Sequence, residues 1–387
     1  NNVSTGSTMK DIEARIFSVN PPDVGIGWND QEWNYKSAAE GLSSRFVNWA
    51  FSGSGGADFE FVVEVSWTPV PAKIAWVSER HGNQEVYVAN RDGTNPVNVS
   101  NCPGAEDDSP SLSADGSKVA WTREHDIFSD YEVWVANTDG TDAVKIADCG
   151  TSPSLSADGS KIAWESYYNW EYEVYVANTD GSDRVNVSRG GDDAYDNQPS
   201  LSADGSKVAW VSNRDGNYEV YVANADGTGA AMNVSNHGAE DSYPSLSADG
   251  SKVAWRSNRS GNAEVWVAST DGAGLPVKVS DDSGANDYAP SLSADGSKVA
   301  WYRYCGEDWE VYVASTDGTG GLVNISNYPD ADDASPSLSA DGSKVAWLSW
   351  RDRDYEVYIA NTNDPGALMN VSAFIGAEDR DPSLQGN

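Results

Sequence analysis

The chain has 387 residues, with 60 acidic and 25 basic side chains and a formal charge of −35. That field repels nucleic acid and anionic membrane surfaces, and it suits cation binding, a high-salt setting or an extracellular surface. No run reaches the length of about 18 consecutive apolar residues that a membrane helix requires. Three cysteines are too few for a disulfide scaffold. The chain opens at Asn1 with no initiator Met and no charged-then-apolar leader, so the expectation is a mature, exported protein.

Residues 1–70 do not repeat. The alternation of Phe59, Phe61, Val63, Val65 and Trp67 predicts a strand over Asp58 to Trp67, and a second candidate strand runs from Arg45 to Phe51. A glycine-serine link, Ser52 to Gly56, joins them. A segment this short makes a marginal core by itself. Two readings stand: a β-rich cap packed on the remainder of the chain, or an arm that adds a strand to a neighbouring subunit.

From residue 71 the sequence is periodic. Pro-Ser-Leu begins at Pro110, Pro153, Pro199, Pro244, Pro290, Pro336 and Pro382, in steps of 43, 46, 45, 46, 46 and 46 residues. Lys-(Val/Ile)-Ala-Trp ends at Trp76, Trp121, Trp164, Trp210, Trp255, Trp301 and Trp347. Glu-Val-(Tyr/Trp)-(Val/Ile)-Ala starts at Glu85, Glu132, Glu173, Glu219, Glu264, Glu310 and Glu356. One repeat serves for all. Pro199 to Ser202 is strand A, and Ala203-Asp204-Gly205-Ser206 is a turn. Strand B is Lys207 to Ser212, strand C Glu219 to Asn224, and after Asp226-Gly227 strand D is Met232 to Ser235. Four short strands in about 46 residues, seven times over, are the signature of a seven-bladed β-propeller.

The stretch PSLSADGSKVAWVSNRDGNYEVYVANADG (199–227) resembles the TolB-like (WD40-like) propeller repeat: Pro-x-x-Ser-x-Asp-Gly, an Ala-aromatic strand, an Arg-Asp-Gly-Asn turn and Glu-(Ile/Val)-Tyr. The resemblance covers roughly residues 70–387 and implies the fold, not the function. The first repeat enters at strand B, and a spare Pro382-Ser383-Leu384 ends the chain. The C-terminal segment is therefore expected to supply strand A of blade one, closing the ring and removing sheet edges. The strand B tryptophans are expected in the core. TolB itself adds an α/β domain and has a different blade count, and propeller peptidases add a large hydrolase domain. Neither pattern is seen here, so neither activity is carried over.

This topology places the A–B and C–D turns on one face and the variable B–C and D–A loops on the other, where single blades can acquire contacts. On the variable face an Asp lies three residues before six of the prolines: Asp107, Asp196, Asp241, Asp287, Asp333 and Asp379, with Gly150 in the remaining blade. Glu106, Asp108, Asp192, Asp193, Glu240, Asp332, Glu378 and Asp381 flank them. These acids are expected to ring the mouth of the channel, either capping their own loops or holding Ca2+ as the one candidate cofactor.

The B–C loops add aromatic groups: Phe128 and Tyr131; Tyr167, Tyr168 and Trp170; Tyr302, Tyr304 and Trp309; Trp350 and Tyr355. They serve sugar or protein recognition, or they pack loops together. Sequons start at Asn2, Asn98, Asn186, Asn233, Asn258, Asn324 and Asn370, either as N-glycosylation sites or as a repeat-encoded strand motif. Cys102 and Cys149 fall in D–A loops of adjacent blades as a candidate disulfide, which leaves Cys305 over.

The three histidines, His81, His125 and His237, lie in different blades, and there is neither a Gly-x-Ser-x-Gly elbow nor a His-x-x-x-His zinc pair. The expected function is that of a non-catalytic extracellular or cell-surface protein that self-assembles into a filament, sheath or layer. Its expected partners are itself, another surface protein or a polysaccharide. The alternatives are a carbohydrate- or protein-binding propeller using the acidic and aromatic loop face, and a polysaccharide lyase or hydrolase.

Overall fold

The computed structural model describes residues 13–16, 44–52, 58–66 and 72–384, apart from 126–129, 169–170, 190–193, 281–283, 305, 307, 329, 352 and 374–375. The chain divides into two compact units, Asn1–Pro71 and Ala72–Asn387.

The first unit holds three antiparallel strands, β1 (Glu13–Ile16), β2 (Ser44–Ser52) and β3 (Asp58–Ser66), in the order β1-β3-β2. The hairpin is in register along its whole length, with Phe51 opposite Phe59, Trp49 opposite Phe61 and Val47 opposite Val63. Both strands read from the sequence are present, and β1 is one that the sequence did not announce.

The second unit is a seven-bladed propeller of four-stranded antiparallel sheets. In blade four the strands are Asp196–Leu201, Lys207–Ser212, Glu219–Asn224 and Met232–Asn233, so A begins three residues earlier than expected. Blade one is assembled from both ends of the chain: Asp379–Leu384 pairs as strand A with Lys73–Ser78, followed by Glu85–Asn90 and Val97–Asn98. The ring closes as the repeat register requires.

Burial explains why the markers recur. The seven strand B tryptophans are at most 1% exposed. Seven apolar clusters fill the seven seams. A typical one joins Val77, Val86 and Val88 of blade one to Leu112, Val119 and Trp121 of blade two. The closing seam is built alike, from Ile359 and Val357 of blade seven with Trp76, Ile74 and Leu384 of blade one.

Strand A carries the inner ring. In every blade its register slips by a bulge at the residues before the proline, and the residue just before that proline has φ between 43° and 55°. The bulge turns the Pro-Ser-Leu serine toward the next blade. Its hydroxyl accepts the leucine N–H there: Ser383 from Leu112, Ser111 from Leu155, and so on round to Ser337 from Leu384, all at 2.9–3.1 Å. The Ala-Asp-Gly-Ser turns below are also strapped together, for example by Ala157 N–H to the Ala203 carbonyl at 2.7 Å. Their glycines sit at φ 62–67°, which favours a residue without a Cβ.

Ser337→Ala removes the bond that holds the C-terminal strand to blade seven. It should cost about 1 kcal/mol and lower Tm by about 2–4 °C in calorimetry. An unchanged Tm would show that the ring does not depend on these bonds.

Candidate functional site

The buried polar residues come first, because they decide which acids are free to act. All six aspartates at the third position before proline are fully buried. They do not line the channel mouth as expected. Each lies inside its own blade, where an arginine answers it. Arg123 grips Asp107 with two hydrogen bonds of 2.7 and 2.9 Å, and Arg303 grips Asp287 at 2.7 and 3.0 Å. Arg214 reaches Asp196 at 2.9 Å, Arg259 reaches Asp241 at 3.0 Å and Arg351 reaches Asp333 at 3.1 Å. Arg80 stands 3.6 Å from Asp379. A buried carboxylate requires such a partner. The sequence reading missed it because the arginine comes from two places, two residues after the strand B tryptophan in blades two and six and four residues after it in blades one, four, five and seven.

The guanidinium serves a second purpose. Strand register places the strand B tryptophan opposite an aromatic residue of strand C, Trp76 opposite Tyr87 for example. An arginine lies over the pair in every blade, 4.2–5.0 Å from the strand C ring. Blade three has Gly150 in place of the aspartate and no arginine after its tryptophan. There Arg184 reaches the Trp164–Tyr175 pair from beside strand D. A Cβ at Gly150 would stand 2.7 Å from the Trp164 ring, so the glycine is required by packing.

Five of the strand C glutamates, Glu85, Glu219, Glu264, Glu310 and Glu356, are buried, and Glu132 and Glu173 are half-buried. Ser100 donates to Glu85 and accepts the Val86 N–H, and Ser188, Ser235, Ser280, Ser326 and Ser372 repeat the pattern. Five of these serines end sequons. The asparagines Asn98, Asn186, Asn233, Asn324 and Asn370 accept, through Oδ1, the N–H three residues on at 2.8–3.0 Å. The Asn-x-Ser repeat is thus a folding element. Asn258 is exposed and accepts the Glu240 N–H, and Asn2 lies outside the described residues.

Among the described residues no three His, Cys, Asp or Glu side chains come together in a way that would hold a metal ion. Loop capping falls to flanking acids instead: Glu106 accepts the Gln84 N–H, Glu240 that of Tyr218 and Asp332 that of Trp309. Burial pushes Asp108 up to about 6, with Asp381 and Glu124 nearby adding to the shift, and burial raises Asp381 as well. Asp192 and Asp193 lie outside the described residues.

Cys102 and Cys149 are free thiols, not a disulfide. The Cys102 N–H is fastened to Glu85 of blade one, whereas the Cys149 carbonyl accepts the Ser166 hydroxyl of blade three, so a whole blade intervenes. Cys305 lies outside the described residues.

The aromatic residues do gather, in blade-specific groups. Across blades five and six Arg256 covers Tyr288 at 4.7 Å, Tyr288 stacks on Tyr302 at 5.6 Å, and Trp309 meets Tyr288, Tyr302 and Tyr304 at 5.4, 5.2 and 5.0 Å. In blade three Tyr167 meets Tyr172, which touches Tyr195. Trp350 meets Tyr355 edge-on at 4.7 Å. Tyr167, Tyr195, Tyr304 and Trp350 stay about 40% exposed, Tyr131 is half-buried, and Tyr243, which sequence reasoning did not single out, is 42% exposed. Phe128, Trp170 and the Tyr168 side chain fall outside the described residues.

The sequence profile of the TolB beta propeller domain matches residues 122–327, just over half the chain. The chain belongs to the TolB β-propeller family. Among solved structures, TolB from Acinetobacter baumannii aligns over 82% of this chain and 68% of its own, with 19% identity and a TM-score of 0.51. A prolyl endopeptidase aligns over 81% of this chain at 13% identity with a TM-score of 0.61, and the present chain spans about half its length, 49%. The propeller of the trilobed protease from Pyrococcus furiosus aligns over 69% of this chain and 83% of its own, at 14% identity with a TM-score of 0.52. That propeller is described as an open velcro, in contrast with the closed blade one here. No curated protein sequence matches the chain. At these identities the structures share the fold alone.

Two outcomes test the buried charges of this TolB-family ring. Arg259→Met should destabilise the protein by about 3–5 kcal/mol because Asp241 loses its partner. Adding Asp241→Asn should recover most of that loss, which a double-mutant cycle in urea would show. Glu356 sits across the closing seam from Asp379, and burial together with that neighbouring carboxyl pushes it from 4.5 up to about 7. The folded state then holds an extra proton between those two values, so this contribution is fully present below pH 4.5 and is lost as pH rises through 7. Glu356→Gln should therefore raise Tm at pH 8 by several degrees and change it little at pH 4.5, and equal shifts at both would exclude the seam from the pH response.

Proposed function

We propose that this protein is a non-catalytic interaction protein of an exported or cell-surface setting that binds its ligand on the loop face of the propeller. The observation that carries the reading is the cluster Tyr288–Tyr302–Trp309–Tyr304, in which four aromatic rings of blade six gather on the loop face. Large planar side chains with one face open to water are what sugars and peptide side chains dock on. The histidines support a binding role over catalysis. His81 is engaged by Tyr87, His125 by Glu132 and His237 by the Ala239 N–H, in three separate blades.

A second reading, self-assembly, draws on the first unit. Its three-stranded sheet leaves the outer side of β2, nine residues long, without a partner strand among the described residues, and the apolar residues of β2 and β3 fall in register. Such an edge admits a strand from another copy. Negative-stain microscopy of the native protein tests this reading: ordered polymers support it, and strictly single rings at all concentrations remove it.

For the loop face, binding of the full chain to a panel of soluble neutral and acidic glycans is the test. Trp309→Ala and Tyr304→Ala should each weaken the bound glycan at least tenfold without lowering Tm, and unchanged affinity in both variants would overturn the assignment.

A further inference from the structure

The residue after the strand B tryptophan points into the seam with the next blade. It is Val77, Thr122, Val211 and Leu348 in blades one, two, four and seven, and the first three are buried there. Blade three has Glu165, which is fully engaged: it accepts the Thr151 hydroxyl at 2.7 Å and the Gln198 N–H at 2.8 Å. Blade five has Arg256. Its cross-strand neighbour is the short Ser242, reached only by a long contact of 3.4 Å, and its Nε is buried without a hydrogen-bond partner. The guanidinium lies on Tyr288, which fixes its plane and leaves its edge directed away from the ring.

This edge borders a cleft of about 320 Å3 on the loop face, between strands A of blades four, five and six. Asn197, Gln198, Tyr218, Glu240, Tyr243 and Tyr288 line it with Arg256. Asn197 Oδ1 is also buried without a partner. The Gln198 Oε1 accepts the Tyr243 N–H at 2.8 Å, so the Gln198 amide presents its NH2 as a donor. Tyr243 holds φ 55°, a conformation that a bulky residue seldom adopts, and it stays 42% exposed.

We infer that this cleft binds a carboxylate-bearing sugar, a uronate residue of an acidic glycan, with Arg256 as the carboxylate-binding group and Tyr243 as a ring platform. A planar guanidinium edge with an unmet N–H matches a carboxylate in a two-point contact. Arg259 is committed to Asp241 Oδ2, while Asp241 Oδ1 is buried without a hydrogen-bond partner, so Arg256 is the cation left for the ligand. One cation beside Glu240, in a chain of charge −35, favours a monoanion over the doubly charged phosphate monoester. The Tyr243 face takes the apolar side of a pyranose, and the Asn197 and Gln198 amides suit its hydroxyls. The volume lies at the small end of small-molecule sites, about 300–1,000 Å3, which suits one or two sugar rings better than a folded partner.

This inference rests on the loop face being the binding surface, and the test separates the two. Calorimetric titration of the full chain would use short oligomers of galacturonate and glucuronate, their neutral galactose and glucose counterparts, inorganic phosphate, and a peptide with a free C-terminal carboxylate. The uronate oligomers should bind at least tenfold tighter than the neutral ones, and Arg256→Gln should abolish that preference. Other blades accept Val, Leu or Thr at this position, so the variant should keep its Tm. Tyr243→Ala should weaken uronate binding as well. Uronate affinity unchanged in Arg256→Gln overturns the inference, as does tighter binding of the peptide or of phosphate. Neutral glycans bound equally by wild type and Arg256→Gln, yet lost in Trp309→Ala, overturn it and leave the loop-face reading standing. No glycan of either kind bound overturns both.

Discussion

One hydrogen bond per blade, a serine hydroxyl accepting a backbone N–H from the next blade, sets the geometry on which the ring depends. A strand at the centre of a propeller has a partner strand on only one side, and its other edge would present bare N–H groups to the channel. The Pro-Ser-Leu triplet meets this constraint in three steps. Proline donates no N–H, the serine turns to the neighbour, and the leucine N–H finds that serine. The left-handed residue before the proline lets the strand bulge enough for the three to align. Seven copies close a cycle, and the seventh uses the C-terminal strand, so the same bond that joins blades also joins the chain ends.

Outside that inner ring the seams solve a problem set by composition. An acidic repeat that buries an aspartate in six blades and a strand C glutamate in five has to neutralise them. In the six blades that keep the aspartate, the arginine over the tryptophan pair does this, and the strand D serine solvates the glutamate. The closing seam is balanced least well. Asp379 has its arginine 3.6 Å away, and Glu356 retains its proton up to about 7. The joint between the two chain ends therefore titrates nearer neutrality than an ordinary carboxyl does, a consequence of incomplete pairing within an otherwise uniform ring.

Fold and closure were legible in the sequence because each rests on a residue type at a fixed spacing. Pro110 to Pro382 and Trp76 to Trp347 mark every blade, and the spare Pro382-Ser383-Leu384 discloses the closure. The site was legible in part. Tyr304, Trp309 and Trp350 stood out as aromatic residues in long loops, and they are exposed or half-exposed there. The aspartates misled, because exposure was inferred from their place beside a loop, whereas the bulge turns them inward to arginines whose spacing is not constant. Arg256 and Tyr243 went unremarked for a different reason. Each occupies a position defined by strand register, and register becomes visible only when the strands are paired.

Deviations from the repeat divide into two kinds, and the difference between them is physical. In blade three the aspartate and its arginine are lost together, and Arg184 restores a cation to the aromatic pair from beside another strand. That deviation is compensated, and the seam remains as well satisfied as its neighbours. In blade five Arg256 is a half-buried cation whose Nε is buried with no hydrogen-bond partner, beside the orphaned amide oxygen of Asn197 and a tyrosine in a disfavoured backbone conformation. That imbalance lies in a cleft on the loop face, between strands of blades four, five and six. An unmet polar group costs free energy in the empty protein, and a ligand that supplies the missing partner recovers it on binding.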